Sequence, residues 1–121
     1  MLKLFFYTLL VFLQPPIIQE INKEEVYNLI EKSSINIIDL RTNKEFSQGS
    51  IKDSYNIDFQ KREFIDNLNA LDKEKEYIIY CMSGNRSEKA SLIMKSLGFK
   101  VIYHYKKGYN CLLYTSDAAD E

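Results

Sequence analysis

Three short apolar runs separated by helix-patterned segments limit this chain more than anything else in it. INIIDLR (Ile35 to Arg41), EYIIY (Glu76 to Tyr80) and KVIYHY (Lys100 to Tyr105) are too short for buried helices and rich in isoleucine and tyrosine, so they read as strands. Between and before them lie amphipathic stretches. Asn22 and Glu25 have the spacing of a helix N-terminal cap, with Val26, Leu29 and Ile30 forming an apolar face up to Ser33. Thr42 to Gln48 predicts a short helix closed by Gly49, and Tyr55 to Ile57 a weak strand. REFIDNLNAL predicts a helix with Phe64, Leu68 and Leu71 on one side, and Ser87 to Leu97 one with Ala90, Ile93, Met94 and Leu97 inward. Strands joined through helices, without tight hairpin signals, imply an α/β domain whose parallel sheet is covered on both faces.

The whole chain has 121 residues, enough for one domain with a real core. Its formal charge of -1 comes without a basic run, which speaks against a nucleic-acid partner and leaves any bound anion small. One histidine, His104, and two distant cysteines, Cys81 and Cys111, make no zinc-type spacing, so neither a metal nor another cofactor is expected. His104, inside a strand, reads as a structural side chain.

The two ends depart from the pattern. Lys3 precedes an apolar run from Leu4 to Leu13 that Pro15 and Pro16 break. A bilayer-spanning helix needs roughly 20 apolar residues, whereas this length suits an export leader or anchor over residues 1–19. That predicts an extracytoplasmic setting, such as a bacterial periplasm or its membrane, with a cytoplasmic one if the leader does not function. Residues 111–121, CLLYTSDAADE, resemble the translation of a transposase adapter used in DNA library preparation, so the domain is expected to span residues 20–110 and to lack its own closing segment. Without Asp117, Asp120 and Glu121 the charge balance turns weakly basic, and Cys81 stands without a disulfide partner.

Cys81 opens the stretch CMSGNRS, between the strand EYIIY and the helix that follows. In a parallel sheet, ligands bind beyond the carboxyl ends of the strands, and the first amides of a helix are unpaired and favour an anion. Gly84 lets the backbone curl with its amides inward. A cysteine held there beside a cation has its pKa lowered from about 8.5 towards about 7 or below, which makes it a nucleophile. The competing reading is an inert core thiol ending its strand. Gly84, Arg86 and Ser87 at this spacing favour the nucleophile.

The chain here resembles the rhodanese family of sulfurtransferases. The family motif C-x-x-G-x-R-S stands as Cys81, Gly84, Arg86 and Ser87; IIDLRTNKEFSQGSI is similar to the upstream signature through Asp39, Arg41, Glu45, Phe46, Gly49 and Ile51; KKGYN looks like the start of a terminal glycine turn. The resemblance implies a parallel sheet of about five strands flanked by helices, its C-terminal helix truncated. It also implies that Cys81 carries sulfur as a persulfide cradled by Met82, Ser83, Gly84, Asn85, Arg86 and Ser87. Thiosulfate or a small persulfide would be the donor, and cyanide, a thiol or a protein cysteine the acceptor. Arg86 is expected to share its time between a donor's sulfonate and the shape of the loop. Asp39 and Arg41 would border the site, or else form a cap and an Arg41 to Glu45 pair.

Two departures stand out: Ser50 occupies a position where many members have histidine, and Lys107 replaces the first glycine of the usual Gly-Gly turn, adding charge at the rim. Two other functions compete. A cysteine-dependent phosphatase uses five residues between cysteine and arginine, but Met82, Ser83, Gly84 and Asn85 make four, a ring suited to sulfur rather than tetrahedral phosphate. A binding-only module usually loses the cysteine that this chain keeps.

Overall fold

The computed structural model describes residues 16–112. The apolar run of the expected leader and residues 113–121 of the expected tail lie outside them. Five strands form one sheet in the order β1-β5-β4-β2-β3, with every neighbouring pair parallel. They are β1 (Ile18–Ile21), β2 (Asn36–Asp39), β3 (Tyr55–Asn56), β4 (Glu76–Tyr80) and β5 (Val101–Tyr105). The helices between them are α1 (Lys23–Lys32), α2 (Asn43–Ser47), α3 (Phe64–Asn69) and α4 (Asn85–Ser96), and residues 108–112 are helical again.

Period two along each strand divides the core. Ile38, Tyr77, Ile79, Cys81 and Ile102 pack with Phe64 and Leu68 of α3 and Ala90 and Met94 of α4. Ile37, Ile78, Tyr80 and Tyr105 face the other way, onto Val26 of α1 and Leu112. Burial on both faces is why the central strands are apolar throughout rather than alternating.

Local chemistry fixes the shorter elements. Asn22 accepts from the Glu25 amide while the Glu25 carboxylate accepts from the Asn22 amide, and Thr42 and Glu45 repeat this capping box at α2. Such reciprocal caps explain how a helix as short as α2 holds its start.

Two boundaries differ from the sequence reading. The sheet begins at Ile18, taking in Ile18 and Gln19, which the sequence reading assigns to a leader over residues 1–19; Ile18 pairs with Ile102, and the Ile102 amide donates to the Ile17 carbonyl. At the other end the helical turn runs through Cys111 to Leu112, whose side chain is buried in the second cluster.

Candidate active site

Strand order creates the site. From β2 the chain crosses to β3 on one side, and from β4 it crosses to β5 on the other, so the carboxyl ends of β2 and β4 diverge as a crevice of the kind that holds ligands in open α/β sheets. Cys81 directly follows β4, at the centre of the sheet, and Asp39 ends β2.

The residue Cys81 is only 1% exposed, and its sulfur is the point on which the next loop converges. The Gly84 amide donates to Sγ at 3.1 Å and the Ser87 amide at 3.4 Å, while Ser87 Oγ lies 3.4 Å away. Gly84 is the N-cap of α4 and carries no side-chain cap; Ser87 is the third helical residue. A capping oxygen ordinarily accepts from that third amide. Here the cysteine sulfur takes its place, so the helix terminus and the thiol satisfy each other. Burial pushes the Cys81 thiol up, but hydrogen bonds from the Ser87 hydroxyl and the amides of Ser87, Gly84 and Ser83 outweigh it, and the thiol titrates below its ordinary value.

The loop keeps this shape through two glycines. Gly84 has φ 101°, and a Cβ there would collide with the Lys106 carbonyl. Gly108 has φ 78° and sits against the Cys81 and Met82 carbonyls, which accept from the amides of Tyr109 (2.9 Å) and Asn110 (3.2 Å). The turn after β5 therefore clamps the base of the cysteine loop. Met82 is partly buried, and Ser83 and Asn85 are exposed at the mouth.

Arg86 reaches across the crevice to Glu45, with Nη1 2.8 Å from Oε1 and Nη2 3.1 Å from Oε2, a bidentate pair. The Arg86 guanidinium holds the Glu45 carboxyl down at about 2 against the opposing effect of burial. Arg86 itself is pushed up by Glu45 first, with smaller contributions from Cys81 and Asp39. The alternative pair, Arg41 with Glu45, is not formed. Arg41 is 1% exposed and turns back onto Asp39, Nη2 to Oδ2 at 2.7 Å, because a buried guanidinium needs a partner equally buried. Asp39 does not cap the helix, a place that Thr42 takes; its Oδ1 accepts from the Arg41 amide at 2.9 Å in a local turn.

Around that pair a network closes the β2 end. Arg41 Nη2 donates to the Gly49 carbonyl at 2.6 Å, Tyr80 Oη donates to Asp39 Oδ2 at 2.6 Å, and the Tyr109 ring stacks on the guanidinium with its centroid 4.0 Å away. Burial, and then the Asp39 hydrogen bond, push the Tyr80 hydroxyl up, so it stays protonated and donates. The side-chain hydrogen bonds of Asp39 and Arg41 thus run to each other, to Tyr80 and to the Gly49 turn rather than to the sulfur. Ser50 is half-buried and Lys107 exposed.

Three contributors escape a reading of the sequence. Glu45 stands there as part of a signature and as a partner for Arg41 rather than Arg86, although its place three residues after the cap Thr42 fixes its direction. Gly108 reads as a turn, not as the clamp beneath Cys81. His104 reads as structural, yet its Nε2 lies 2.6 Å from Ser87 Oγ.

A five-stranded parallel α/β domain with a cysteine of lowered pKa in an amide-lined loop defines the class, and comparison with known proteins supplies the family. Residues 22–112 match the rhodanese-like domain, and the chain belongs to that family. Among curated relatives, a Schizosaccharomyces pombe protein named as a candidate mitochondrial thiosulfate sulfurtransferase is 38% identical over 98 residues, covering 68% of each chain. The tRNA uridine(34) hydroxylase of Legionella pneumophila (strain Corby) is 33% identical over 92 residues, or 73% of this chain and 36% of that one. The chain thus spans about a third of such a hydroxylase. Among solved structures, a rhodanese-like domain protein from Staphylococcus aureus superposes with TM-score 0.67 and 28% identity, covering 74% of this chain and 86% of that one. The human single-domain sulfurtransferase gives 0.68 at 20% identity, with 78% and 95% covered, and supports the fold.

Proposed function

We propose that this chain is a sulfurtransferase that carries sulfane sulfur on Cys81. The observation that carries the reading is the convergence of the Gly84 and Ser87 amides and the Ser87 hydroxyl on a sulfur whose titration is lowered. In the first half-reaction the Cys81 thiolate attacks the outer sulfur of thiosulfate, the S–S bond of the donor breaks, and sulfite leaves with the bonding electron pair. In the second, cyanide or a thiolate attacks the outer sulfur of the Cys81 persulfide, and Cys81 leaves as the thiolate. No oxidant is consumed, and no cofactor is needed. The outer sulfur of a persulfide stands about 2 Å beyond Sγ, where the amides of the Met82 to Ser87 loop would cradle it.

Arg86 is committed to Glu45, and the two charges offset each other at the mouth. Attraction of an anionic donor then rests on the exposed Lys106 and Lys107 after β5, with Lys106 against Gly84. Acceptors include cyanide, small thiols and a protein cysteine.

Two displacements through one covalent intermediate require ping-pong kinetics. Steady-state rates with thiosulfate and cyanide varied together should give parallel double-reciprocal lines, and Cys81→Ala should show none of the enzymatic rate. Intersecting lines, or activity surviving in Cys81→Ala, would exclude the persulfide route.

A further inference from the structure

His104 is the one imidazole of the chain, 4% exposed on β5, and it takes no part in the two displacements. It faces the same side of the sheet as Cys81, since Ile102, two residues before it, packs in the cluster that contains Cys81. Its Nε2 lies 2.6 Å from Ser87 Oγ, and Ser87 Oγ lies 3.4 Å from Cys81 Sγ. Ser87 is fully buried, and its hydroxyl has one proton for three neighbours: the sulfur, Nε2, and the Gly84 carbonyl at 3.2 Å. Which of them receives that proton decides how far Ser87 stabilises a thiolate.

We propose that His104 is a positioning residue for the nucleophile, its Nε2–H donating to Ser87 Oγ so that the Ser87 proton is directed to the Cys81 sulfur. A hydroxyl that accepts one hydrogen bond becomes a better donor in the next, and a buried chain of this kind keeps its geometry because each member is held by its neighbours. The inference rests on the reading of Cys81 as a nucleophile but not on the identity of the sulfur donor.

The electrostatic surroundings agree with a neutral ring. Burial pushes His104 below its ordinary value, opposed by Glu20 on β1 and Glu88 on α4, while Lys106 after β5 acts with burial. Glu20 is its neighbour in the β1 to β5 register. A neutral imidazole carries a single N–H, and only the form with that proton on Nε2 spares the Ser87 proton, which a charged thiolate then draws from the neutral Gly84 carbonyl. The opposite tautomer would draw that proton to the ring.

The test is a pH titration of the Cys81 thiolate by ultraviolet absorbance, taken as the difference from Cys81→Ala, on the full chain. His104→Phe keeps the ring's bulk and removes the donor; the thiolate fraction at pH 7 should fall about fivefold, the net worth of one hydrogen bond. His104→Gln, which can place an amide N–H near the Nε2 position, should stay within about twofold of wild type, whereas the shorter His104→Asn should behave like Phe. In a Ser87→Ala background His104→Phe should have no further effect. An unchanged or increased thiolate fraction in His104→Phe, an equal loss with Ser87 absent, or Gln and Asn indistinguishable would each overturn the proposal. If the Phe variant does not fold, the contrast between Gln and Asn decides the matter alone. Sulfur uptake from thiosulfate, scored separately on wild type, keeps a failure of the sulfurtransferase reading distinct from a failure of this one.

Discussion

Glu45 shows how much one side chain can settle. Its backbone and carboxylate take part in the Thr42 capping box, and its carboxylate oxygens also accept both arms of Arg86 from the far side of the crevice. A carboxyl held at about 2 in the folded protein and near its ordinary value in the unfolded chain contributes stability that is fully present above about pH 4.5 and is lost as pH falls towards 2. Because the pair is partly exposed, with side chains 21% and 26% accessible, its worth is about 1–2 kcal/mol after solvent screening. Glu45→Gln should lose that amount in urea melts at pH 7, and the gap to wild type should narrow at pH 3. A gap independent of pH would mean that the pair contributes nothing through its charge. Freed of Glu45, Arg86 should also hold the cysteine loop less firmly.

The loop from Cys81 to α4 joins strand end, thiol and helix cap in one segment. Its dependence on glycine follows from a positive φ and from the Lys106 carbonyl against the missing side chain. Gly84→Ala should cost about 1–3 kcal/mol from backbone strain alone, and should raise the Cys81 pKa by pulling the amide off the sulfur. Thermal melts and thiolate titration check the two effects; a variant as stable as wild type with an unchanged titration would show that the loop tolerates another path. Much of this segment is legible in the sequence, because C-x-x-G-x-R-S places glycine and serine relative to cysteine through local geometry alone. Periodicity starts α4 at Ser87, whereas the helix begins at Asn85, since its cap is the Cys81 sulfur and not a side chain on Gly84. The strands β2, β4 and β5 are legible as apolar runs, but IQEI is not, as an edge strand with Gln19 and Glu20 in it carries no such run. The contacts of Glu45 with Arg86, 41 residues on, and of Ser87 with His104, 17 residues on, depend on strand order, which periodicity does not encode.

Across the domain, the Asp39, Arg41, Tyr80 and Tyr109 network ties β2, β4, the Gly49 turn and the segment after β5 into one body. The Tyr80 hydroxyl also accepts from the Ile51 amide at 3.0 Å, extending the network beyond the Gly49 turn. Asp39 supplies the opposite charge that the buried Arg41 needs, and the Gly49 carbonyl and the Tyr109 ring complete its surroundings. Asp39→Ala would leave an uncompensated buried guanidinium and should cost about 3–5 kcal/mol, a large share of a domain's roughly 5–15 kcal/mol. Tyr80→Phe, which removes one hydrogen bond to a charged group, should cost about 1.5–3 kcal/mol. Chemical denaturation of both variants tests this order, and equal losses would show that the pair is not the core of the network. The cysteine loop rests on the same turn after β5, so the Asp39 variant should also lose sulfur uptake in proportion to its unfolded fraction.

All of these effects meet at one atom. Intact mass of the protein after incubation with thiosulfate, beside Cys81→Ala and with circular dichroism on both, asks whether Sγ of Cys81 holds sulfur. A sulfur carrier at Cys81 requires a gain of a single sulfur atom on wild type, none on Cys81→Ala, and its removal by cyanide. A folded wild-type protein that gains nothing, or a folded Cys81→Ala that gains as much, would contradict it.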